Sequence, residues 1–341
     1  MWAIKRTPSS IYVQDDAGTY RKSEYTPIID LGPHLNPVHP PIFDYVFVPY
    51  EKPNAVFLGM PFGDRSRWPD STVGTFPQLI RKASLAFTNT NTFPDNSAIR
   101  LYDVDRTAIR DCGMVWDIGD IAERSDVALL SVIDELVPRG IPVVSVGGDH
   151  ACTYDFAVAL GHILATPLTI WHFDAHFDRY SLPGGNPTVD HGNFISHLER
   201  TGMFHVIHIG VRGLRGHTQM VDAPFGSLPG SQFSLERFRQ LVDAVPASTS
   251  YLSIDMDCLN PSDFPWVDFP IPNGLAGTSV EEAVRYLFQS HHQIVAADIV
   301  EANADGNPDR GDYGWAVRIL VSILEGLVVQ GHEEPSGTDK E

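Results

Sequence analysis

The run DAHFD at residues 174–178 sets Asp174, His176 and Asp178 at spacings of two, so an extended segment would project all three to one side. SIDMD at 253–257 repeats the device with Asp255 and Asp257. VGGDH at 146–150 adds His150 after two glycines that permit a tight turn. Four carboxylates and two imidazoles without a thiolate make a hard-to-borderline donor set, suited to Mn²⁺ and able to hold Ni²⁺, Co²⁺ or Zn²⁺. Six donors exceed what one catalytic ion with an open position needs. They point to two ions about 3.5 Å apart, bridged by a carboxylate such as Asp174 or Asp255. A water shared by two such ions drops its pKa from about 16 toward 7 and becomes a strong nucleophile. With that hydroxide the cluster is net negative, so a cationic substrate is welcome beside it. Each motif alone is more often a helix cap, a turn or a core histidine; their joint occurrence makes the site.

These residues sit where short β-rich runs end. The runs are AVFLGM (55–60), MVWDIG (114–119), IPVVSVG (141–147), LTIWHFD (168–174), FHVIHIGV (204–211), YLSIDMD (251–257) and QIVAADIVE (293–301). Between them, helical spacing predicts helices over roughly 74–87, 125–138, 152–165, 190–202, 234–245, 279–290 and 312–330. Ser279 with Glu282 reads as a capping box, with Ala283, Tyr286 and Leu287 on one face. Such alternation predicts one α/β domain, a parallel sheet covered by helices on both faces. Ligands of such sheets bind beyond the carboxyl ends of strands, and four ends here carry His150, the 174–178 set, the aspartates 255 and 257, and Glu301.

The chain has 341 residues, 43% of them apolar, enough for one large core. A formal charge of −19 argues against nucleic acid or an anionic membrane as partner. The cysteines Cys112, Cys152 and Cys258 are too scattered for a disulfide framework, so a reducing cytoplasm is the expected home. No run of about 18 apolar residues is evident, and MWAIKRTPSS lacks the apolar core of a signal peptide. Residues 1–52, with eight prolines counting Pro53 just beyond, read as an extended arm, either reaching a neighbouring subunit or forming a plain disordered leader. A catalytic domain is expected over 53–330 and a polar tail over 331–341.

GGDH (147–150), DAHFD (174–178) and SIDMDCLNP (253–261) together resemble the three signature motifs of the arginase and agmatinase family, the ureohydrolases. The resemblance runs from about residue 55 to 330. It implies a three-layer α/β fold with a mainly parallel eight-stranded sheet, and trimers or hexamers. It implies hydrolysis of a guanidino compound to urea and an amine by a metal-bridging hydroxide. His150, Asp174, Asp178 and Asp255 would hold one Mn²⁺, and Asp174, His176, Asp255 and Asp257 the other, with Asp178 also steadying the tetrahedral intermediate. His191 in DHGN resembles the family histidine that passes a proton to the leaving amine, and Glu301 in DIVEAN the glutamate that pairs with the guanidinium.

The substrate end departs from the family pattern. Tyr180 stands where arginases have an Asn, Phe177 replaces the usual Thr, and Asn193 follows His-Gly where Thr is typical. The segment PFGDRSRWPDSTVG replaces an RPGAR-like loop, and the stretch after Glu301 is longer than usual. The α-amino acid clamp of arginases is therefore not evident, and Phe177, Tyr180 and Asn193 are the expected substrate-binding positions. DRY and FISH lie closer to agmatinases, so agmatine is the default. Guanidinobutyrate, guanidine or a biguanide such as metformin, with Ni²⁺ and a hetero-oligomer containing a paralogue, stay open. A deacetylase of this fold would not need His150 and Asp257, and a silent assembly subunit would have lost ligands; all six are present.

Overall fold

The computed structural model describes residues 4–7, 10–14, 20–22, 34–38, 40–44, 52–87, 98–180, 188–214 and 226–332. Its strands begin with β1 (Ile4–Thr7), β2 (Ser10–Gln14), β3 (Tyr20–Lys22), β4 (Leu35–Asn36), β5 (Ala55–Met60), β6 (Arg100–Asp103) and β7 (Ala108–Asp111). They continue with β8 (Val115–Ile121), β9 (Val143–Gly147), β10 (Leu168–Phe173), β11 (Phe204–Ile209), β12 (Ser227–Leu228), β13 (Thr249–Asp255) and β14 (Gln293–Val300). The helices are α1 (Phe76–Ser84), α2 (Asp126–Leu136), α3 (Ala151–Leu164), α4 (Phe194–Arg200), α5 (Leu235–Ala244), α6 (Gly277–Phe288) and α7 (Gly314–His332). All seven apolar runs become strands of one sheet and all seven helical stretches become helices.

The main sheet has the order β12-β11-β10-β13-β14-β9-β5-β8-β4, nine strands where eight were expected. Eight run parallel, and the ninth, the two-residue β4, pairs antiparallel with β8. Both β4 and the equally short β12 lack the apolar run that marks the others. Every residue of β5, β9 and β10 is buried, as strands covered on both faces must be. α2 packs on α3, and α6 packs on both α5 and α7. The chain builds β5, β8 and β9 on one side of β14 and then crosses to β10 and β11 on the other. The four strands whose ends carry the candidate chemistry, β10, β13, β14 and β9, are consequently consecutive at the sheet's centre.

Several expectations change in detail. The amino-terminal stretch carries a three-stranded antiparallel sheet, β1-β2-β3, which proline spacing did not suggest. Farther on, Ile42 and Phe43 are buried in the core, their N–H groups donating to Asp117 and Ser84 at 2.8 Å each. The tail beyond residue 332 lies outside the described residues, and α7 runs two residues past the expected boundary at 330. α7 is also long and apolar enough to cross a membrane by length and composition, although Arg318 and Glu325 interrupt its apolar sequence. Its Ile319, Leu320, Ile323 and Leu324 are fully buried, so that apolarity serves the core.

The capping box fails as well. α6 begins at Gly277, which leaves Ser279 inside the first turn, and the N–H of Gly277 donates instead to Asp263 Oδ2 at 2.9 Å. Asp263→Ala should cost about 1 kcal/mol in urea unfolding, while Ser279→Ala should fall within about 0.5 kcal/mol of the parent. Equal effects would contradict this placement of the cap.

Candidate metal centre

The donors converge, but not by simple strand alternation. β10 ends at Phe173, and the next five residues turn, with Asp178 in the left-handed region at φ 46°. β13 ends at Asp255, and Asp257 comes from a 3₁₀ turn over Met256–Cys258. Backbone amides fix one oxygen on each of three carboxylates. Ala175 N–H donates to Asp257 Oδ1 at 2.9 Å, Asp257 N–H to Asp255 Oδ1 at 2.7 Å, and His176 N–H to Asp174 Oδ1.

The other oxygens face the imidazoles. His150 Nδ1 lies 3.2 Å from Asp174 Oδ2, 3.0 Å from Asp178 Oδ2 and 3.1 Å from Asp255 Oδ2. His176 Nδ1 lies 2.8 Å from Asp257 Oδ2 and 3.3 Å from Asp174 Oδ1. Two groups able to hold a metal ion result, one of His150, His172, Asp174 and Asp178 and the other of Asp174, His176 and Asp257; Asp174 sends one oxygen to each, and Asp255 stands beside the first at 3.1 Å from His150 Nδ1. His150 Nδ1 and Asp174 Oδ2 are buried without any hydrogen bond among the described residues, although they lie within 3.3 Å of one another. Buried polar atoms left this way are costly, and lone pairs aimed at a common point are what a divalent cation satisfies. The donor set and its geometry therefore fit two such ions.

The site also contains a residue that the motifs missed. His172, on β10 and two residues before Asp174, has its Nε2 3.1 Å from Asp174 Oδ2 and its Nδ1 3.0 Å from His208 Nδ1. The spacing of two that marks 174–178 extends backwards to it, and that was the available signal. Burial holds His208 well below the usual imidazole range, so it stays neutral against His172.

Electrostatics expresses the demand for a cation. Burial would depress His150 and His176, yet the surrounding aspartates reverse this, holding His150 well above its usual range and pushing His176 up to about 12. Burial, then repulsion from neighbouring carboxylates, raises Asp178 and Asp255, whereas Asp174, flanked by three histidines, is held low despite its burial.

His191 and Glu301 stand beside this cluster. Glu301 follows β14 in the left-handed region at φ 65°, and its Oε1 accepts from His150 N–H at 2.7 Å and meets His191 Nδ1 at 3.1 Å. Arg67 N–H donates to His191 Nε2 at 3.2 Å. An amide can only donate, so Nε2 is the acceptor and Nδ1 carries the proton toward Glu301. Burial lowers the His191 imidazole, but Glu301 more than offsets it and the net shift is upward.

A cleft of about 320 Å³ opens over these groups, lined beyond them by Arg67, Trp68, Val267, Asp268 and Phe269. Of the four residues expected to bind substrate, Glu301 lines the cleft, whereas Phe177, Tyr180 and Asn193 are not in its lining. Phe177 packs edge-on against His208 at 5.1 Å, and the Tyr180 ring lies under the Arg67 guanidinium at 4.4 Å. Asn193 is buried and ties the DHGN turn together through Thr188 O and Asp190 N–H. Nearness in sequence to the metal motifs points to the pocket, but these side chains make contacts with His208, Arg67 and the DHGN turn. Of the residues that replace them, Trp68 lies in a segment already flagged as unusual, while 267–269 gave no signal of composition or period.

A sequence model described as the arginase family matches residues 53–324. The agmatinase of Serratia proteamaculans is 30% identical over 269 residues, covering 76% of this chain and 83% of that protein. The mitochondrial arginase 1 of Oryza sativa subsp. indica is 26% identical over 268 residues, covering 74% and 75%. Among solved structures, the proclavaminate amidino hydrolase from Streptomyces clavuligerus superposes with a TM-score of 0.68 at 20% identity, covering 86% of this chain and 98% of that one. A hypothetical agmatinase from Burkholderia thailandensis gives 0.67 at 19% identity, covering 85% and 91%. At such identity the superpositions speak for the fold.

The raised groups predict how the metal-stripped protein responds to pH. His150 and His176 bind protons more tightly folded than unfolded, so their stabilisation is complete below the ordinary value of 6.5 and shrinks as pH rises toward the folded values. Asp178 and Asp255 act in the same sense from 3.8 upward, and Asp174 acts oppositely but only in stronger acid. Stripped protein should lose several degrees of melting temperature between about pH 6.5 and 9, at roughly 2–4 °C per kcal/mol, and added Mn²⁺ should reverse the loss. A flat profile would show that these groups are not coupled in the folded state.

Proposed function

The chain belongs to the arginase family and is a ureohydrolase, and on that premise we propose that it hydrolyses a small guanidino compound to urea and an amine using two divalent metal ions. His150, Asp174, Asp178 and Asp255 would hold one ion, and Asp174, His176, Asp255 and Asp257 the other. The observation that carries the proposal is the pair of His/Asp groups sharing Asp174, with buried donor atoms that no hydrogen bond satisfies among the described residues. When bound, the ions supply an activated water at neutral pH. Mn²⁺ is the first choice on donor chemistry and Ni²⁺ the second.

The protein's own side chains do the rest. Glu301 keeps Oε2 clear of its anchoring hydrogen bonds, so it can receive guanidinium N–H groups and set the carbon over the metal groups. His191 stands as the neutral tautomer with its proton on Nδ1 beside that glutamate, and in the proposed reaction it acts after gaining a second proton on Nε2, giving that proton to the departing nitrogen and returning to the neutral form. Its raised pKa keeps a protonated fraction at higher pH than a free imidazole would. Asp178, held near the first group by a strained backbone, steadies the attacked carbon's developing tetrahedral geometry.

Arg67 bears on substrate choice. It is committed to Asp190 by paired contacts of 2.8–3.0 Å, so it is not free to receive a substrate carboxylate. This supports a substrate without one, with agmatine the first to test because an agmatinase is among the relatives. For the assembly we propose a homo-oligomer, and for its place the cytoplasm.

Urea release measured on Mn²⁺-loaded and Ni²⁺-loaded protein across agmatine, guanidinobutyrate, guanidine, arginine and metformin tests the function; no urea from any would refute it. Asp255→Ala should lose most bound metal, and full retention would overturn the ligand assignment. His191→Asn should keep metal while kcat drops about 10²-fold or more.

A further inference from the structure

The wall of the cleft holds a carboxylate that the mechanism above leaves unused. Val267 and Ala302 form an isolated antiparallel bridge, and Asn303 N–H donates to Trp266 O at 2.9 Å. That register sets Asp268 across from Glu301, and both line the cleft.

The two carboxylates are anchored alike. Both hydrogen bonds of Glu301 fall on Oε1. Asp268 Oδ1 accepts from Asn303 Nδ2 at 3.1 Å, while its Oδ2 is buried with no hydrogen-bond partner among the described residues. A buried carboxylate oxygen without a donor is costly, and an arriving N–H relieves it. Beside the pair, Trp68 and Phe269 stack with centroids 5.7 Å apart and planes inclined by 16°, offering flat faces to a planar cation. Phe269 continues toward the metal groups, 5.9 Å from the His176 ring.

We propose that Asp268 is a second guanidinium-binding carboxylate, receiving N–H groups from an edge of the substrate that Glu301 does not hold. The substrate is then a guanidinium gripped between two carboxylates beside an aromatic wall, and it bears no carboxylate of its own. This rests on the ureohydrolase reading, since it assigns a residue to that same reaction. Contacts present before and during the reaction alike raise KM more than they lower kcat when removed.

The test compares Asp268→Asn with the parent enzyme, both Mn²⁺-loaded, by urea release from whichever of agmatine and guanidine the parent hydrolyses. The expected result is KM raised roughly 10- to 100-fold with kcat within a few-fold, and metal content and melting temperature at parental values. Unchanged KM overturns the proposal. Independently of any variant, the parent should favour agmatine or guanidine over guanidinobutyrate at least tenfold in kcat/KM, because a substrate that carries its own carboxylate is repelled by a cleft lined with the carboxylates Glu301 and Asp268; preference for guanidinobutyrate also overturns it. Either failure leaves the ureohydrolase reading standing, whereas no urea from any compound removes both.

Discussion

Carboxylates buried against one another are the constraint to which the rest of this structure answers. Asp174, Asp178, Asp255 and Asp257 are each no more than 9% exposed. A like-charged pair 4 Å apart repels by about 4 kcal/mol at an effective dielectric near 20, and here four such groups share one end of a sheet. Backbone amides hold one oxygen of Asp174, Asp255 and Asp257, which turns the remaining oxygens toward His150 and His176. An amide dipole offsets only part of the repulsion. The raised imidazoles show the remainder being met by protons, a duty that divalent cations take over.

The fold concentrates this charge because its order of strands brings four carboxyl ends together and its local backbone bends the side chains inward. Gly148 illustrates how tightly the surrounding loops are set, since a Cβ there would fall 1.9 Å from Phe62 O. The loop that follows Phe62 is fastened by Arg65 N–H on Asp149 at 2.9 Å, and its Arg67 amide fixes the tautomer of His191. Asp178 and Glu301 hold left-handed conformations that cost non-glycine residues of order 1–3 kcal/mol each. That cost falls on the two residues whose side chains must point back over the cluster, which strand geometry alone would not achieve.

What was legible in the sequence follows from the range of the forces involved. The parallel sheet was readable because strands buried on both faces are continuous apolar runs, and the metal donors because they end those runs in a charge type no core would otherwise hold. The β6–β7 hairpin escaped because its buried contacts are ionic: Arg110 meets Glu281 at 2.6 Å and Glu325 at 3.2 Å, so no apolar period marks it. The cap of α6 escaped because Asp263 lies 14 residues before the amide it accepts, whereas a capping box is a local signal. His172 fits the spacing rule, but it stands inside the apolar run LTIWHF, where a buried histidine reads as part of the strand.

The substrate end was illegible for a different reason. Trp68 and Phe269 meet across 201 positions of chain, and Asp268 faces Glu301 through one isolated bridge, so neither pairing leaves a periodic trace. The residues nearest the metal motifs, Phe177, Tyr180 and Asn193, look more suited to the task but are spent on packing and on the DHGN turn. A common device nevertheless links the wall to the floor of the cleft. Asp174, Asp255, Asp257, Glu301 and Asp268 each have one oxygen tied to a donor of the protein and the other turned away from it. Among the described residues, five carboxylates, Asp178, Asp255, Asp257, Asp268 and Glu301, line the cleft, and the one arginine in that lining is paired with Asp190. The proposed metal ions at the floor and the proposed guanidinium at the wall would answer the same demand for positive charge, which the metal donors express in the sequence and the wall does not.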